Sequence, residues 1–460
     1  MDSRLRKPYN NGVAARQVEV SVEATNEMKI AVIGAGISGN SVARLLADEH
    51  EVWLFEAEAF AGGHTNTVSF EAWGQAWHVD TGFMVFNDRT YPNFIRLLQL
   101  LGVAAQDSDM SFSVNCARTG LEYQGSSLNG LFAQRRNLLR PAFYRMLRDV
   151  LWFNRTSPQL LTSDAETLTL GEYLDRNRYS REFVSHYLLP MTAAIWSAQP
   201  RAVLDFPAHF LIGFFRNHGL LQVRGRPQWK TIPGGAKRYV AALLAPLGDR
   251  VRLNSPVTQV TRRADYVEVT VRDAPPERFD AVVCAAHADQ TLAMLTDADD
   301  LERKILGAFP YQRNEAVLHT DTCLMPRRRR AWASWNYHLS SEPEAPATVT
   351  YDLSRLQRVK SPEPILLTLN DTQRIDPAKI IQRIDYHHPA YGTASIDAQR
   401  RHAELNGRRR TYFCGAYWGY GFHEDGLRSG LTVAHCFGKD LDTCIAASTR
   451  DASGTAAINR

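Results

Sequence analysis

The sequence predicts an α/β protein in which a Rossmann-type dinucleotide-binding domain is interleaved with a domain of mixed helical and antiparallel-sheet structure. Three observations carry the prediction. Residues Lys29–Glu56, KIAVIGAGISGNSVARLLADEHEVWLFE, read as a strand, a glycine turn, a helix and a second strand. From about residue 102 to Arg224 the pattern turns helical, with many aromatics and arginines and few strand signals. A second glycine-rich turn, 415–426, follows a strand and leads into a helix near Leu427. At 460 residues the chain is too long for one compact core. The expected division assigns 28–110, 225–305 and 405–445 to the dinucleotide-binding domain and 111–224 and 306–404 to a substrate domain. Tails are expected at 1–27 and 446–460.

The first unit justifies itself residue by residue. Lys29–Ile33 is a short Val/Ile-rich run of the kind buried on both faces of a parallel sheet. Gly34 permits the tight turn, Gly36 lets a pyrophosphate approach the backbone, and Gly39 lets the helix lie close to the sheet. Ile37, Val42, Leu45 and Leu46 recur at helical spacing, and the helix N-terminus, with Ile37 and Ser38, offers free N–H groups to an anion. Val52–Phe55 ends in Glu56, about twenty residues beyond the glycines and placed to accept hydrogen bonds from a ribose diol.

Further along, Gly62-Gly63-His64 brings the backbone close to a partner, and Trp77–Phe83 alternates like a strand before a turn at Thr81-Gly82-Phe83. Tyr91–Leu101 is an amphipathic helix stopped by Gly102. Pro233-Gly234-Gly235 is expected to open a helix running to Leu247. Val251–Leu253 leading into Pro256–Val260, then Tyr266–Val271 and Phe279–Ala285, predict a β-meander that returns to the first sheet. Alternating stretches between Phe309 and Ala398 predict an antiparallel sheet, and Arg410–Cys414 a last strand.

Composition excludes several classes. A formal net charge of +4 is too small at this length to imply nucleic acid. The six cysteines form no CxxC pair and no metal-ligand spacing, which reads as buried free thiols in a reducing compartment. No apolar run reaches membrane-spanning length and no signal-peptide core is present, so a cytoplasmic protein is expected. Residues 1–27 read as a disordered tail, or as the product of an upstream start ahead of Met28. Adjacent histidines such as His387 and His388 face opposite ways on an extended chain, so no metal is expected. Tyr417, Trp418, Tyr420 and Phe422 are expected to share their surface between a substrate wall and ordinary core.

Together, the glycine fingerprint, Gly62-Gly63 after Glu56 and the C-terminal glycine turn resemble the flavin-containing amine oxidase superfamily. Within it, DTGFMVFNDRTYP (80–92), SDMSFSV (108–114), GLFAQRRNLL (130–139), FFRNHGLLQVRGRPQW (214–229) and GAYWGYGFHEDGLRSG (415–430) look like narrower relatives. These are the bacterial FAD-dependent proteins encoded beside cyclopropane-fatty-acid synthases and the oxidase domain ahead of the plant synthases. The resemblance implies FAD, with its adenosine near Gly34, Gly36, Gly39 and Glu56 and its adenine held by the backbone of Val257. It places Gly62, Gly63 and His64 along the pyrophosphate and ribityl chain, with His64 standing where relatives often carry Arg. Thr81, Gly82 and Phe83 approach the isoalloxazine. Gly415 and the turn His423, Glu424, Asp425, Gly426 and Leu427 bring a helix N-terminus to the flavin's pyrimidine carbonyl.

One departure bears on function. Superfamily amine oxidases hold a water over the flavin with a strand lysine, and the matching stretch here, Tyr311–His319, contains none. Glu315 and His319 are the nearest ionisable replacements. Cys414 lies on the strand before the glycine turn and not where monoamine oxidases link flavin covalently, so non-covalent FAD is expected. The leading expectation is an FAD-dependent oxidoreductase moving a hydride between a substrate C–H bond and FAD, with a small-molecule or lipid substrate in fatty-acyl modification. An amine or polyamine oxidase is the second reading. The third is a non-catalytic flavin-bearing partner of a lipid methyltransferase of the cyclopropane-fatty-acid-synthase type. Gln134–Arg148 interleaves arginines with bulky apolar residues and contains no acid. It reads either as a core-packed helix with a solvated basic face or as a peripheral contact with an anionic membrane.

Overall fold

A computed structural model describes residues 27–162, 168–196, 200–340 and 348–442. The expected tails at 1–26 and 446–460, and Cys444, lie outside the described residues; Glu27, placed in the first tail, is described.

Five parallel strands form the sheet that positions the site, in the order Val251–Arg252, Glu51–Phe55, Lys29–Ile33, Ala281–Cys284, Thr411–Phe413. Ile30, Ala31 and Val32 are fully buried, as an inner parallel strand covered on both faces requires. The helix Ile37–Leu46 is buried along its whole length because the helix His423–His435 packs across it. Small residues permit that approach. A Cβ on Gly430 would sit 2.8 Å from Ser38 O, and one on Gly426 would sit 2.7 Å from Ile37 Cγ2. Ser38 Oγ donates to Gly426 O at 2.8 Å and ties the two helices together.

An antiparallel meander, Val257–Arg262, Val267–Val271 and Glu277–Phe279, lies beside the parallel sheet. Val251–Arg252 belongs to the parallel sheet and not to the meander, a correction to the expected three-strand run. The second domain is built on a seven-stranded sheet in the order Ile380–Pro389, Tyr311–His319, Leu366–Leu369, Thr348–Asp352, Trp335–Leu339, Phe112–Cys116, Leu121–Gln124. Its last two strands correct the expectation that 102–224 is helical. Phe112–Cys116 runs parallel to Trp335–Leu339, and all four residues of Leu121–Gln124 are buried, so their sequence lacks the alternation that marks a half-exposed strand.

Other boundaries shift for local reasons. The helix expected from Pro233 runs from Lys237 to Leu244 and passes into a 3₁₀ turn, Ala245–Arg250. The C-terminal helix begins at His423 and not at Leu427. Gln134–Arg148 is not one helix: a 3₁₀ turn, Arg135–Leu139, is separated from the helix Pro141–Thr156 by Arg140 at φ −102°, ψ 106°. A proline disfavours the helical region for the residue before it and starts a helix well itself. Cys323 and Cys436 are exposed, against the expectation of buried thiols; Cys116, Cys284 and Cys414 are buried. No helix among the described residues is long and apolar enough to cross a membrane.

Candidate active site

A cavity of about 1330 Å³ runs from the glycine turn at the carboxyl ends of the parallel strands into the helical part of the second domain. That volume exceeds the 300–1,000 Å³ typical of a pocket for one drug-sized ligand. It accommodates an elongated dinucleotide with a substrate beyond it.

The glycine end is built from backbone. Gly34 sits at φ +102°, and its N–H donates to Phe55 O at 2.8 Å, closing the turn between the first two strands. A Cβ on Gly36 would meet no atom within 4 Å, so this residue presents bare backbone to open cavity, the cradle a phosphate needs. Glu56 Oε2 accepts from Ala35 N–H at 2.7 Å and Oε1 from Glu58 N–H at 3.0 Å. A carboxylate has roughly four acceptor positions, so two remain for a diol at the cavity wall. Gly62 N–H donates to Ala35 O at 2.7 Å and folds Gly62, Gly63 and His64 against the same wall. His64 Nε2 is buried without a partner, an orphaned polar atom facing the cavity. The cradle at Gly36, the spare acceptors of Glu56 and this orphan fit an FAD.

Of the other expected residues, Ile37, Ser38, Thr81, Gly82, Phe83, Val257, Gly415 and His423 also line the cavity. Thr81 Oγ1 bonds to Tyr386 Oη at 2.8 Å, and Phe83 stacks on His423 with centroids 3.7 Å apart and planes at 9°. His423 Nε2 bonds to Tyr239 Oη at 2.7 Å, which continues to Thr65 Oγ1 at 2.6 Å. The structure does not bring Gly39, Glu424, Asp425, Gly426 and Leu427 to the cavity wall. Gly39 lies against the Gly34 carbonyl, and Gly426 and Leu427 pack into the helix–sheet core. Glu424 accepts from Asn93 N–H and Phe94 N–H, both at 3.0 Å, capping the helix Pro92–Leu100. Asp425 accepts from Phe422 N–H at 3.1 Å and caps its own helix. Trp418 stacks on His402 at 4.1 Å away from the cavity, whereas Tyr417, Tyr420 and Phe422 line it.

Both expected catalytic candidates lie away from the cavity. Glu315 is ion-paired to Arg383 at 2.8 Å and accepts from Thr372, while fully buried His319 bonds to Thr368 Oγ1 at 2.8 Å and accepts from Asp321 N–H. Their positions on the Tyr311–His319 strand point them into the sheet's other contacts.

Instead, imidazoles that sequence reasoning missed as a group converge here. His64, His287, His387, His388 and His423 line the cavity, drawn from four separate segments, and only the His387-His388 pair was visible as a cluster in the sequence. The His64 ring lies 5.2 Å from His388 and 6.2 Å from His287. Burial, helped by neighbouring histidines, lowers His64 and His287 to about 4 and His388 and His423 to about 3, so all four are neutral at pH 7. Asn314 Nδ2 donates to His388 Nδ1 at 3.0 Å while its Oδ1 accepts from Asn370 at 3.1 Å. That network leaves the His388 proton on Nε2. Among the described residues no three side chains are grouped to hold a metal ion.

Beyond the imidazoles much of the cavity wall is apolar, including Phe112, Leu131, Met146, Leu147, Val150, Met191, Ile195 and Phe214, while Asn154, Gln382, Arg226 and Arg383 also line it. Away from the glycine end, the one carboxylate among the described lining residues is Asp385, which is ion-paired to Arg313 at 2.8 Å.

A model of the Flavin containing amine oxidoreductase family matches residues 37–316. A Mycobacterium tuberculosis protein named "Putative flavin-containing monoamine oxidase AofH" is 29% identical over 255 residues, 52% of this chain and 53% of that protein. Amine oxidase A of Bos taurus is 25% identical over 361 residues, 72% of this chain and 63% of its own length. The chain thus spans between half and two thirds of the length of these two curated relatives. Among solved structures, a CLA-producing fatty acid isomerase from P. acnes superposes with a TM-score of 0.64 at 16% identity, covering 90% of this chain and all of that one. Cyclohexylamine oxidase from Brevibacterium oxydans does so with 0.63 at 16% identity, covering 89% and 98%. At such identities these two likenesses speak to the fold.

Proposed function

Because the chain belongs to the flavin-containing amine oxidoreductase family, with FAD as its cofactor, we propose that it is an FAD-dependent oxidoreductase acting on the C–H bonds of an apolar, fatty-acyl substrate. Bound FAD supplies hydride acceptance or donation, the chemistry no side chain of the cavity can perform. The chain supplies the rest. Gly36, Glu56 and the Gly62–His64 turn hold the dinucleotide along the sheet edge. Phe83, stacked on His423, and Tyr386, bonded to Thr81, fix the walls at the inner end of the cofactor site. The Tyr311–His319 strand supplies Asn314, whose amide orients His388 and leaves a neutral Nε2–H donor. The apolar wall from Phe112 to Phe214 excludes water from the reacting C–H bond.

The observation that carries this reading is the composition of the inner chamber. Away from the glycine end, the described lining residues are mostly apolar, with the neutral imidazoles of His64, His287, His388 and His423, two arginines, Arg226 and Arg383, and no carboxylate beyond one already paired to arginine. A protonated amine would be stripped of water there without a counter-charge, which is costly. Amine oxidation is the second reading, favoured by the match to named amine oxidases over half or more of the chain. Anaerobic mixing of the purified yellow protein with dispersed acyl lipids, and separately with benzylamine and spermine, tests both. Bleaching of the flavin band by acyl lipids is expected. Bleaching by the amines at enzymatic rates would transfer the function to the second reading, and bleaching by neither would leave a flavin-bearing protein without turnover.

A further inference from the structure

Ten large hydrophobic side chains are conspicuously exposed among the described residues, and six of them fall between residues 128 and 152. Leu139 is 88% exposed, Leu128 76%, Leu151 58% and Trp152 54%, with Leu138 and Tyr144 about half exposed. Single exposed leucines are ordinary; such a cluster is not. Tyr144 Oη donates to Leu138 O at 3.0 Å, joining the 3₁₀ turn to the helix Pro141–Thr156. On that helix Tyr144, Arg148, Leu151, Trp152 and Arg155 recur at helical spacing and are all exposed, forming one outward stripe. No Asp or Glu occurs between Glu122 and Asp149, whereas Arg135, Arg136, Arg140, Arg145 and Arg148 do. Arg135 and Arg136 donate to neutral acceptors, Asn129 Oδ1 and Gly120 O, whereas Arg145 is paired to Glu182 at 2.7 Å and Arg148 to Asp149 at 2.9 Å, which leaves the positive charge of the face on Arg135, Arg136 and Arg140.

The same helix turns its other side to the cavity. Leu147, Val150, Leu151 and Asn154 line it, and Leu151 belongs to both surfaces. Gly125 and Ser126, and Val223 at 67% exposed, likewise line the cavity while facing solvent. The apolar chamber therefore opens at the edge of an apolar, cationic face.

We propose that this face docks on an anionic phospholipid bilayer and sets the cavity mouth at the lipid surface. Leu128, Leu138, Leu139 and Leu151 enter the acyl boundary, Tyr144 and Trp152 sit at headgroup depth, and Arg135, Arg136 and Arg140 meet lipid phosphates. Delivery of an acyl chain through the Leu151 mouth rests on the function proposed above; the docking itself does not. The broken helix at Arg140 matters here, because it splays Leu138 and Leu139 out of the helical axis and widens the inserted surface.

Cosedimentation of the FAD-loaded protein with vesicles of equimolar phosphatidylcholine and phosphatidylglycerol tests the proposal. The expected result is strong pelleting at low salt and release at high salt, since screening removes the arginine contribution. Arg135→Gln with Arg136→Gln should weaken partitioning by about fivefold per arginine. Leu139→Ser should weaken it with the flavin spectrum and melting temperature unchanged. Quenching of tryptophan emission by brominated lipid should fall in Trp152→Phe. Equal recovery in the supernatant with and without vesicles would overturn the proposal. So would a wild-type dimer in sedimentation velocity that Leu139→Ser converts to monomer, since the face would then meet a second copy. Failure of docking with acyl-lipid bleaching intact leaves the proposed function standing, and the reverse outcome removes the substrate while leaving the membrane face.

Discussion

Two glycines three residues apart should fail in opposite ways when each acquires one methyl group. Gly36 has φ −73° and ψ −179°, a conformation any residue adopts, and a Cβ there would meet no protein atom within 4 Å. Gly36→Ala should cost the fold about 0.5 kcal/mol, the deficit of alanine at a helix N-cap. Gly39 is different. A Cβ there would lie far inside contact distance of the Gly34 carbonyl oxygen and 3.0 Å from Ala285 Cβ. The first obstacle is backbone within the turn, which no rotamer relieves, so helix and strand must part. Overpacking of that kind costs about 3 kcal/mol or more. Guanidinium unfolding of the flavin-free protein by circular dichroism separates the two effects, and a fluorescence titration of FAD supplies the second axis. Gly36→Ala is expected to unfold close to wild type yet bind FAD at least tenfold more weakly, because the methyl occupies the space that bare backbone leaves for phosphate. Gly39→Ala is expected to shift the unfolding midpoint whether or not FAD is present. Wild-type FAD affinity in Gly36→Ala would refute the assignment of that open space to the cofactor, and an unshifted midpoint in Gly39→Ala would refute the packing argument.

Glu56→Gln should weaken FAD binding by about 1 to 3 kcal/mol, the scale of charge-assisted hydrogen bonds to a ribose, with unfolding less affected; a titration matching wild type would assign the diol to another group. The buried histidines predict acid sensitivity. Burial lowers His64, His218, His287, His319 and His402 to about 4 and His388 and His423 to about 3. Each is neutral in the native state and protonates on unfolding once the pH falls below about 6.5. Their contribution is therefore complete above about pH 6.5 and lost as the pH falls toward the depressed values, at up to about 1.4 kcal/mol per pH unit for each histidine. Urea midpoints measured between about pH 7 and about pH 5 should drop with the net uptake of several protons, because the carboxyls that burial raises, Asp80 to about 6 and Glu424 to about 7, offset only part of the histidine uptake. A dependence corresponding to less than one proton would contradict the neutral imidazole cluster.

The sequence by itself determined the glycine end of the cavity because that end is local. Strand, glycine turn, helix and Glu56 follow one another within Lys29–Glu56, although Gly34 and Gly39 also face Ala285, just past the neighbouring strand Ala281–Cys284. Thr81-Gly82-Phe83 and His423 were legible through a resemblance that spans nearly the whole chain. Other features depended on tertiary contacts. The hairpin Phe112–Gln124 was hidden because its strands are covered on both faces and one pairs with Trp335–Leu339, over two hundred residues away. Glu424 sat in a motif that pointed to flavin, but the helix Pro92–Leu100 arrives with uncapped N–H groups and takes its carboxylate. Glu315 and His319 shared a strand with the expected catalytic position, yet their partners, Arg383 and Thr368, come from adjacent strands that only the folded sheet brings alongside. The imidazole cluster unites residues 64, 287, 388 and 423, each unremarkable alone; only their shared burial makes them neutral, and burial is a property of the packed chain.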